Sequence, residues 1–196
     1  MYYLVDTNVF LHDIDSNIYG VAEVCKDKGN DICITKTILD ELNPGYYRES
    51  EDESSKEVHT CVTNLLEGRM GIKAIRLIQL DDIFGAREEL KKIRDRYYSW
   101  MRNPDYLQKM IEKGTLTRED IKKENFKKKD MGECELVAIA KASGGEYWLI
   151  TNDKGRVYKH PDMNIFDAYS KDKDVVILSG EEWIRNIGYL SEEPQK

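Results

Sequence analysis

Short apolar segments that favour β-structure alternate with helical patterns along this chain of 196 residues. Each segment is rich in aliphatic or aromatic residues and is bounded by polar ones, which is typical of a buried strand. We predict five strands, at YYLV (2–5), DICIT (31–35), IKAIRLIQL (72–80), EYWLIT (146–151) and DVVIL (174–178). Strands that alternate with helices pair in parallel, because the chain returns through a helix before the next strand starts. The sequence therefore predicts an α/β fold with a mainly parallel sheet.

The segments between these strands carry apolar residues at helical spacing. We predict helices over 17–29, 35–45, 56–68, 87–101, 103–114, 117–129, 130–145 and 179–188. Capping patterns mark three of the helix starts, at Thr37 with Asp40, Thr117 with Asp120, and Ser179 with Glu182. The acidic stretch 46–55 is predicted to be a solvated loop. No repeat or long linker divides the chain, so residues 1–196 are predicted to form one domain, with a helical insertion at about 84–129.

The composition suits a compact, water-exposed protein. Hydrophobic residues make up 40% of the chain and charged residues 34%, with a mean hydropathy of -0.64. No apolar run approaches the ~20 residues that span a bilayer, and the first residues lack the pattern of a signal peptide. We therefore expect a cytoplasmic protein with no membrane partner. The cysteines form no CxxC pair and are expected to be reduced and mostly buried, at Cys25, Cys33, Cys61 and Cys134.

Charge is distributed unevenly along the chain. The formal net charge is -7, but residues 86–129 contain fourteen Lys and Arg against eight Asp and Glu, a local charge of +6. The remaining residues therefore carry -13. A basic segment on an acidic protein can still direct a polyanion to one place.

Acidic residues stand where the parallel sheet should bind a ligand. Asp6 follows the strand 2–5 and Asp153 follows the strand 146–151, while Glu41 and either Glu133 or Glu135 lie on helices. Ligands of open parallel sheets bind at the carboxyl ends of the strands. Carboxylates that converge there repel each other unless a cation neutralises them, and their hard oxygen atoms favour Mg²⁺ or Mn²⁺. A pair of such ions can activate water for phosphodiester hydrolysis.

Four sequence motifs in order resemble those of PIN-domain nucleases. MYYLVDTNVFL resembles the first motif, TKTILDEL the second, GECELVAIAKASGG the third and LITNDKG the fourth. The motifs extend from residue 1 to about 155, and the strand and helix predicted at 174–188 match the end of the family fold. A single motif would be weak evidence, because many strands end in Asp, but four in order are a strong signal. The first motif resembles the PIN halves that are joined to PhoH-type ATPases, and the set also resembles toxin-type (VapC-like) members.

The resemblance implies a three-layer fold and a metal-dependent endoribonuclease. Matched motif by motif, it assigns catalytic and metal-binding roles to Asp6, Glu41, Glu133 and Asp153, with Mg²⁺ or Mn²⁺ as cofactor. Thr7, Asn8 and Thr151 would orient these carboxylates. RNA is the implied substrate, and an antitoxin or other regulatory protein and a second copy of the chain are further partners that the family allows.

The chain departs from the family pattern in two respects. About ninety residues separate Glu41 from Glu133, more than in toxin-type members, and the insertion matches no family residue. The third motif also offers two acids. We favour Glu133, which opens the helix, and keep Glu135 as the reserve candidate because it lies about 200° further round the helix. Asp130 could instead form a capping box with Glu133, which would satisfy the Glu133 side chain without a metal.

The insertion mixes basic and aromatic residues as a nucleic-acid surface does. We list Arg94, Arg96, Lys127, Lys128 and Lys129 as candidate nucleic-acid contacts. Tyr97, Tyr98, Trp100 and Phe126 are the accompanying aromatic residues. The alternative is an amphipathic helical lid whose aromatic residues belong to the core and whose lysines are simply solvated.

Two other functions use the same pattern. A structure-specific DNase of the flap-endonuclease type would employ the same acids, usually with additional ones. A non-catalytic PIN scaffold or RNA-binding subunit would typically have lost one or more of the acids. The presence of all four favours the enzyme.

Overall fold

The computed structural model describes residues 1–43, 53–69, 71–153 and 164–189. The predicted α/β fold is confirmed, and the five strands of its central sheet all run parallel, in the order β3-β2-β1-β4-β5. The strands are β1 Tyr2–Val5, β2 Asp31–Ile34, β3 Ile75–Leu77, β4 Tyr147–Ile150 and β5 Val176–Leu178.

Helices flank this sheet in a three-layer arrangement. They are α1 Thr7–His12, α2 Ile18–Asp27, α3 Lys36–Leu42, α4 Glu53–Glu67, α5 Ala86–Tyr97, α6 Pro104–Glu112, α7 Arg118–Lys122, α8 Glu124–Lys127, α9 Met131–Ala142, α10 Ile165–Tyr169 and α11 Gly180–Asn186. Short 3-10 helices lie at Leu80–Asp82 and Ser99–Arg102.

The central position of β1 determines where a ligand can bind. The chain builds the sheet outwards from β1 through β2 to β3, and then crosses to the other side of β1 to add β4 and β5. Leu4 and Val5 of β1 are completely buried, as are Leu149 and Ile150 of the neighbouring β4. Because the winding direction reverses between β1 and β4, a crevice opens beyond the carboxyl ends of these two strands.

The insertion packs against the third-motif helix. Its first helix, α5, lies along α9, with Ala86 and Ile93 buried in the main core. Tyr98 and Trp100 are also buried, and Phe126 packs edge-to-face on Trp100 with ring centroids 6.0 Å apart. These aromatic residues therefore belong at least partly to the packing of the insertion, as the lid alternative expected.

Several predicted boundaries were wrong. The strand predicted over 72–80 is limited to β3, and the helix predicted over 117–129 is divided into α7 and α8. Thr35, not Thr37, is the N-cap of α3, since its hydroxyl accepts the Ile38 N–H. The capping boxes at Thr117 and Ser179 are confirmed.

Two short helices, α1 and α10, were not predicted. Both have only one or two turns, so they are too short for hydrophobic periodicity to reveal them. Most of the loop predicted at 46–55 lies outside the described residues. The four cysteines are unpaired thiols, and all but Cys61 are buried, as expected. Within the described part of the chain, every helix is too short or too polar to cross a bilayer.

Candidate functional site

A cleft of about 350 Å³ opens at the carboxyl end of β1, where the fold predicts a ligand site. Four acidic side chains predicted from four separate motifs line it, at Asp6, Glu41, Glu133 and Asp153. The other residues that line it are Thr7, Asn8, Leu11, His12, Lys128, Lys129 and Asp130. The tertiary structure therefore brings all four predicted acids to one cavity.

Asp6 is both a helix cap and a buried carboxylate of the cleft. It precedes α1, and its Oδ1 accepts the Thr7 N–H at 2.7 Å. Its Oδ2 accepts the Thr151 hydroxyl at 2.7 Å and the Asn8 amide at 3.0 Å. These donors fix the carboxylate at the junction of β1 and β4. Thr7, Asn8 and Thr151 thus occupy the positions that the resemblance implied for orienting residues.

Glu41 reaches the cleft from α3. The Thr7 hydroxyl donates to its Oε2 at 3.0 Å, which links the second-motif acid to the first motif. Its carboxylate lies directly over Gly132 in the first turn of α9. A Cβ atom at Gly132 would be 2.8 Å from Oε1 of Glu41 and 2.9 Å from Cδ1 of Ile38. A side chain at this position would therefore displace the Glu41 carboxylate or the Ile38 methyl group from α9.

Glu133 lies in the first turn of α9, and the capping box that competed for its side chain does not form. Asp130 is the N-cap residue, but it adopts a left-handed conformation with φ of 53° and its side chain accepts no N–H of the helix. Its Oδ2 instead accepts the Tyr98 hydroxyl at 3.1 Å, and Oδ1 lies 3.3 Å from Lys129 Nζ. The capping alternative is therefore wrong, because the local backbone turns the Asp130 side chain away from the helix.

Asp153 completes the cleft after β4. Its N–H donates to the Thr151 hydroxyl at 3.1 Å, so the same threonine that contacts Asp6 also shapes this turn. The Asn164 amide donates to the Asp153 carbonyl at 2.9 Å. The strand end and the start of α10 therefore fix the backbone at this acid.

Burial and mutual repulsion make the cleft costly to ionise. Burial, opposed by the hydrogen bonds of Thr151, Thr7 and Asn8, raises the pKa of Asp6 to about 6. Burial also raises the pKa of Glu41 to about 7 and that of Glu133 to about 9, and the neighbouring carboxylates add to both shifts. A divalent cation in the cleft would favour the ionised forms. Strongly shifted pKa values in one cleft are typical of functional sites.

The chemistry of these side chains fits Mg²⁺ or Mn²⁺. Carboxylate oxygens are the ligands that these ions prefer, and the described residues place no cysteine in the cleft. Among the described residues, no three His, Cys, Asp or Glu side chains already form a compact metal-binding group. Mg²⁺ retains several of its waters and is usually bound directly by only one or two carboxylates.

Glu135, the reserve acid of the third motif, lies outside this cleft. The Thr37 hydroxyl donates to its Oε1 at 2.9 Å, on the side of α9 that faces α3. Thr37 therefore binds Glu135 and does not cap its helix. Of the two acids in the motif, the structure places only Glu133 at the cleft.

The basic candidates of the insertion divide into two groups. Lys128 and Lys129 line the cleft, and Lys127 lies just beyond it. Arg94 points inwards, where it donates to the carbonyls of Lys127 at 3.2 Å and Lys129 at 2.6 Å. Arg96 is exposed, with its guanidinium 5.0 Å from the Tyr97 ring centroid. Arg94 thus fixes the segment 127–129, at the end of α8, against α5 and brings two lysines to the acids.

Two residues that line the cleft, Asp130 and His12, and one that packs against Glu41, Gly132, were not predicted as site residues from the sequence. Gly132 gave no signal, because its role depends on the position of Glu41. Asp130 is a fifth acid of the cleft, and its spacing to Glu133 was visible but indicated a cap. His12 lies on the rim at the end of α1, a helix that the hydrophobic pattern did not predict.

Substitution of Gly132 should test whether the position of Glu41 matters. We expect Gly132→Ala to displace the Glu41 carboxylate and to lower kcat/KM of any metal-dependent activity by roughly 10- to 100-fold, the range for residues that orient ligands. Thermal unfolding should confirm that the variant folds. Gly20→Ala is the matched control, since its Cβ would meet Tyr189 Oη at 2.8 Å in another part of the protein. Equal activities of the two variants would contradict the role of Gly132.

Comparison of the chain with protein-family models, with curated proteins and with solved structures found no match in any of the three. Function is therefore inferred from the four motifs and from the chemistry of the cleft.

Proposed function

We propose that this protein is a Mg²⁺- or Mn²⁺-dependent nuclease of the PIN type that hydrolyses RNA phosphodiester bonds. The observation that carries the proposal is the meeting of Asp6, Glu41, Glu133 and Asp153 in one cleft at the carboxyl edge of a parallel sheet. These acids come from four distant parts of the chain, so local sequence preferences do not account for their meeting.

The chain's own residues would bind and orient the reactants. Asp6, Glu41, Glu133 and Asp153 would provide the oxygen ligands. Thr7, Asn8 and Thr151 would prevent the Asp6 and Glu41 carboxylates from rotating. Mg²⁺ or Mn²⁺, when bound, would polarise the phosphate and lower the pKa of a water nucleophile. Lys128 and Lys129 would attract the substrate backbone to a cleft that otherwise repels it.

The test incubates the purified protein with single-stranded RNA, duplex RNA and single-stranded DNA. Each substrate is combined with Mn²⁺, Mg²⁺ or EDTA, and Asp6→Asn is measured in parallel. We expect RNA cleavage with either ion and none with EDTA or with the variant. Cleavage that survives EDTA, or that is unchanged in Asp6→Asn, would contradict the proposal. Cleavage of DNA alone would replace RNA with DNA as the substrate.

A further inference from the structure

A second cavity, of about 370 Å³, lies between the insertion and α9, beside the cleft that the four acids line, which we call the acidic cleft. Its apolar wall consists of Tyr98, Met101, Phe126 and Met131. Three basic residues, Arg94, Arg102 and Lys127, form the rest of its lining, and no described residue of the lining is acidic. We call this cavity the aromatic pocket. Its volume lies within the range of small-ligand sites, which is about 300–1,000 Å³.

The lining of the aromatic pocket suits a flat aromatic group that carries negative charge nearby. Aromatic and thioether side chains pack well against ring faces, while arginine and lysine attract phosphate. The Arg94 guanidinium already stacks on the Tyr98 ring, 4.1 Å from its centroid. Arg102 is paired with Asp95 at 2.5 Å, so part of its charge is compensated. Base stacking beside basic residues is how proteins bind single-stranded nucleic acids.

The aromatic pocket and the acidic cleft share one wall. Lys127 faces the pocket, whereas the next two residues, Lys128 and Lys129, face the cleft. Tyr98 lines the pocket, and its hydroxyl donates to Asp130, which lines the cleft. The two hydrogen bonds from Arg94 to the carbonyls of Lys127 and Lys129 stabilise this wall. A nucleotide chain with a phosphate at the acids could therefore place an adjacent base in the pocket.

We propose that the aromatic pocket binds one unstacked nucleobase next to the phosphate in the acidic cleft. This proposal rests on the nuclease function and specifies its substrate as single-stranded nucleic acid. A base within a duplex is stacked on both faces, and it would have to leave the stack before it could enter the pocket. Single-stranded regions present such bases without that cost.

The test measures binding separately from cleavage. A fluorescent single-stranded RNA is titrated with the protein in Ca²⁺, and a single abasic residue is moved along the RNA one position at a time. Phe126→Leu removes an aromatic ring of the pocket but keeps an apolar contact with Trp100. We expect about five- to tenfold weaker binding in this variant, within the range for loss of one stacked base. The abasic residue should cause a similar loss at one position only.

The losses of binding caused by Phe126→Leu and by the abasic residue should not add, because both changes remove the same contact. At the sensitive position, the abasic RNA should bind wild type and Phe126→Leu equally well. Phe84→Leu is the matched control, since Phe84 is 100% exposed and lies outside both cavities. The Phe84→Leu variant should bind the RNA as tightly as wild type does. Additive losses, a loss at every abasic position, or no binding of any RNA would overturn the proposal.

Cleavage of the same RNAs in Mn²⁺ distinguishes this proposal from the nuclease function. If the RNA is cut but the abasic residue and Phe126→Leu have no effect on binding, the pocket does not bind a base and the nuclease function stands. The opposite result is that no nucleic acid is cut, while the binding losses from Phe126→Leu and from the abasic residue are not additive. In that case the pocket binds a base and the nuclease function is wrong.

Discussion

Glu133→Gln should abolish metal-dependent cleavage, while Glu135→Gln should leave it close to that of wild type. The two acids are two residues apart in one motif, but only Glu133 lines the acidic cleft, and Glu135 accepts a hydrogen bond from Thr37. Loss of a residue that binds the metal directly should exceed the roughly 10- to 100-fold effect of a residue behind it. We therefore expect at least about a 100-fold fall in kcat/KM for Glu133→Gln.

The measurement is single-turnover cleavage of single-stranded RNA over a range of Mn²⁺ concentrations. A variant that only binds the ion more weakly would regain its cleavage rate at high Mn²⁺. A variant that lacks a reacting group would not. Circular dichroism should show that both variants fold. A larger loss in Glu135→Gln than in Glu133→Gln would reverse the assignment of the third-motif acid.

The metal-free protein should lose thermal stability as the pH rises from about 4.3 to about 9, and Mn²⁺ should restore it. Burial raises the pKa of Glu133 to about 9, above the usual value of about 4.3 in an unfolded chain. Between these values the folded state binds a proton that the unfolded chain releases, so a higher pH favours unfolding. This penalty is absent at low pH and complete above about pH 9.

Glu133→Gln should remove most of this dependence, because glutamine stays neutral at every pH. Near pH 9 without metal, the variant should therefore melt several degrees above wild type, since about 1 kcal/mol corresponds to 2–4 °C in a protein of this size. In excess Mn²⁺ the order should reverse, because the ion stabilises only the protein that binds it. Differential scanning fluorimetry in EDTA and in Mn²⁺ gives both comparisons. A variant less stable than wild type at pH 9 in EDTA would contradict the buried position of Glu133.

These two predictions describe one conflict between stability and function. Four carboxylates near each other in a partly buried cleft repel one another, and a protein selected only for stability would replace them. The hydrogen bonds to Asp6 and Glu41 lower this cost without removing it, because burial remains the largest cause of both pKa shifts. A site of this kind is suited to binding a cation.

Much of the fold follows from local patterns that the sequence displays directly. The apolar segments of β1, β2, β4 and β5 are short and bounded by polar residues, and the intervening helices carry clear apolar faces. The strand predicted over 72–80 was too long, because apolar residues continue past the end of β3 into a turn. Single-turn helices such as α10 are too short to establish a period.

The amino-acid sequence by itself determined the parallel α/β architecture and the identity of four acids at the ends of its elements. Both depend on residues close together in the chain, where a strand ends or a helix begins. Only the tertiary structure decided that Glu133 and not Glu135 faces the cleft, that Gly132 makes room for Glu41, and that the segment 127–129 separates the cleft from the aromatic pocket. These features depend on the rotation of α9 and on its packing with α3 and α5, which join segments far apart in the sequence.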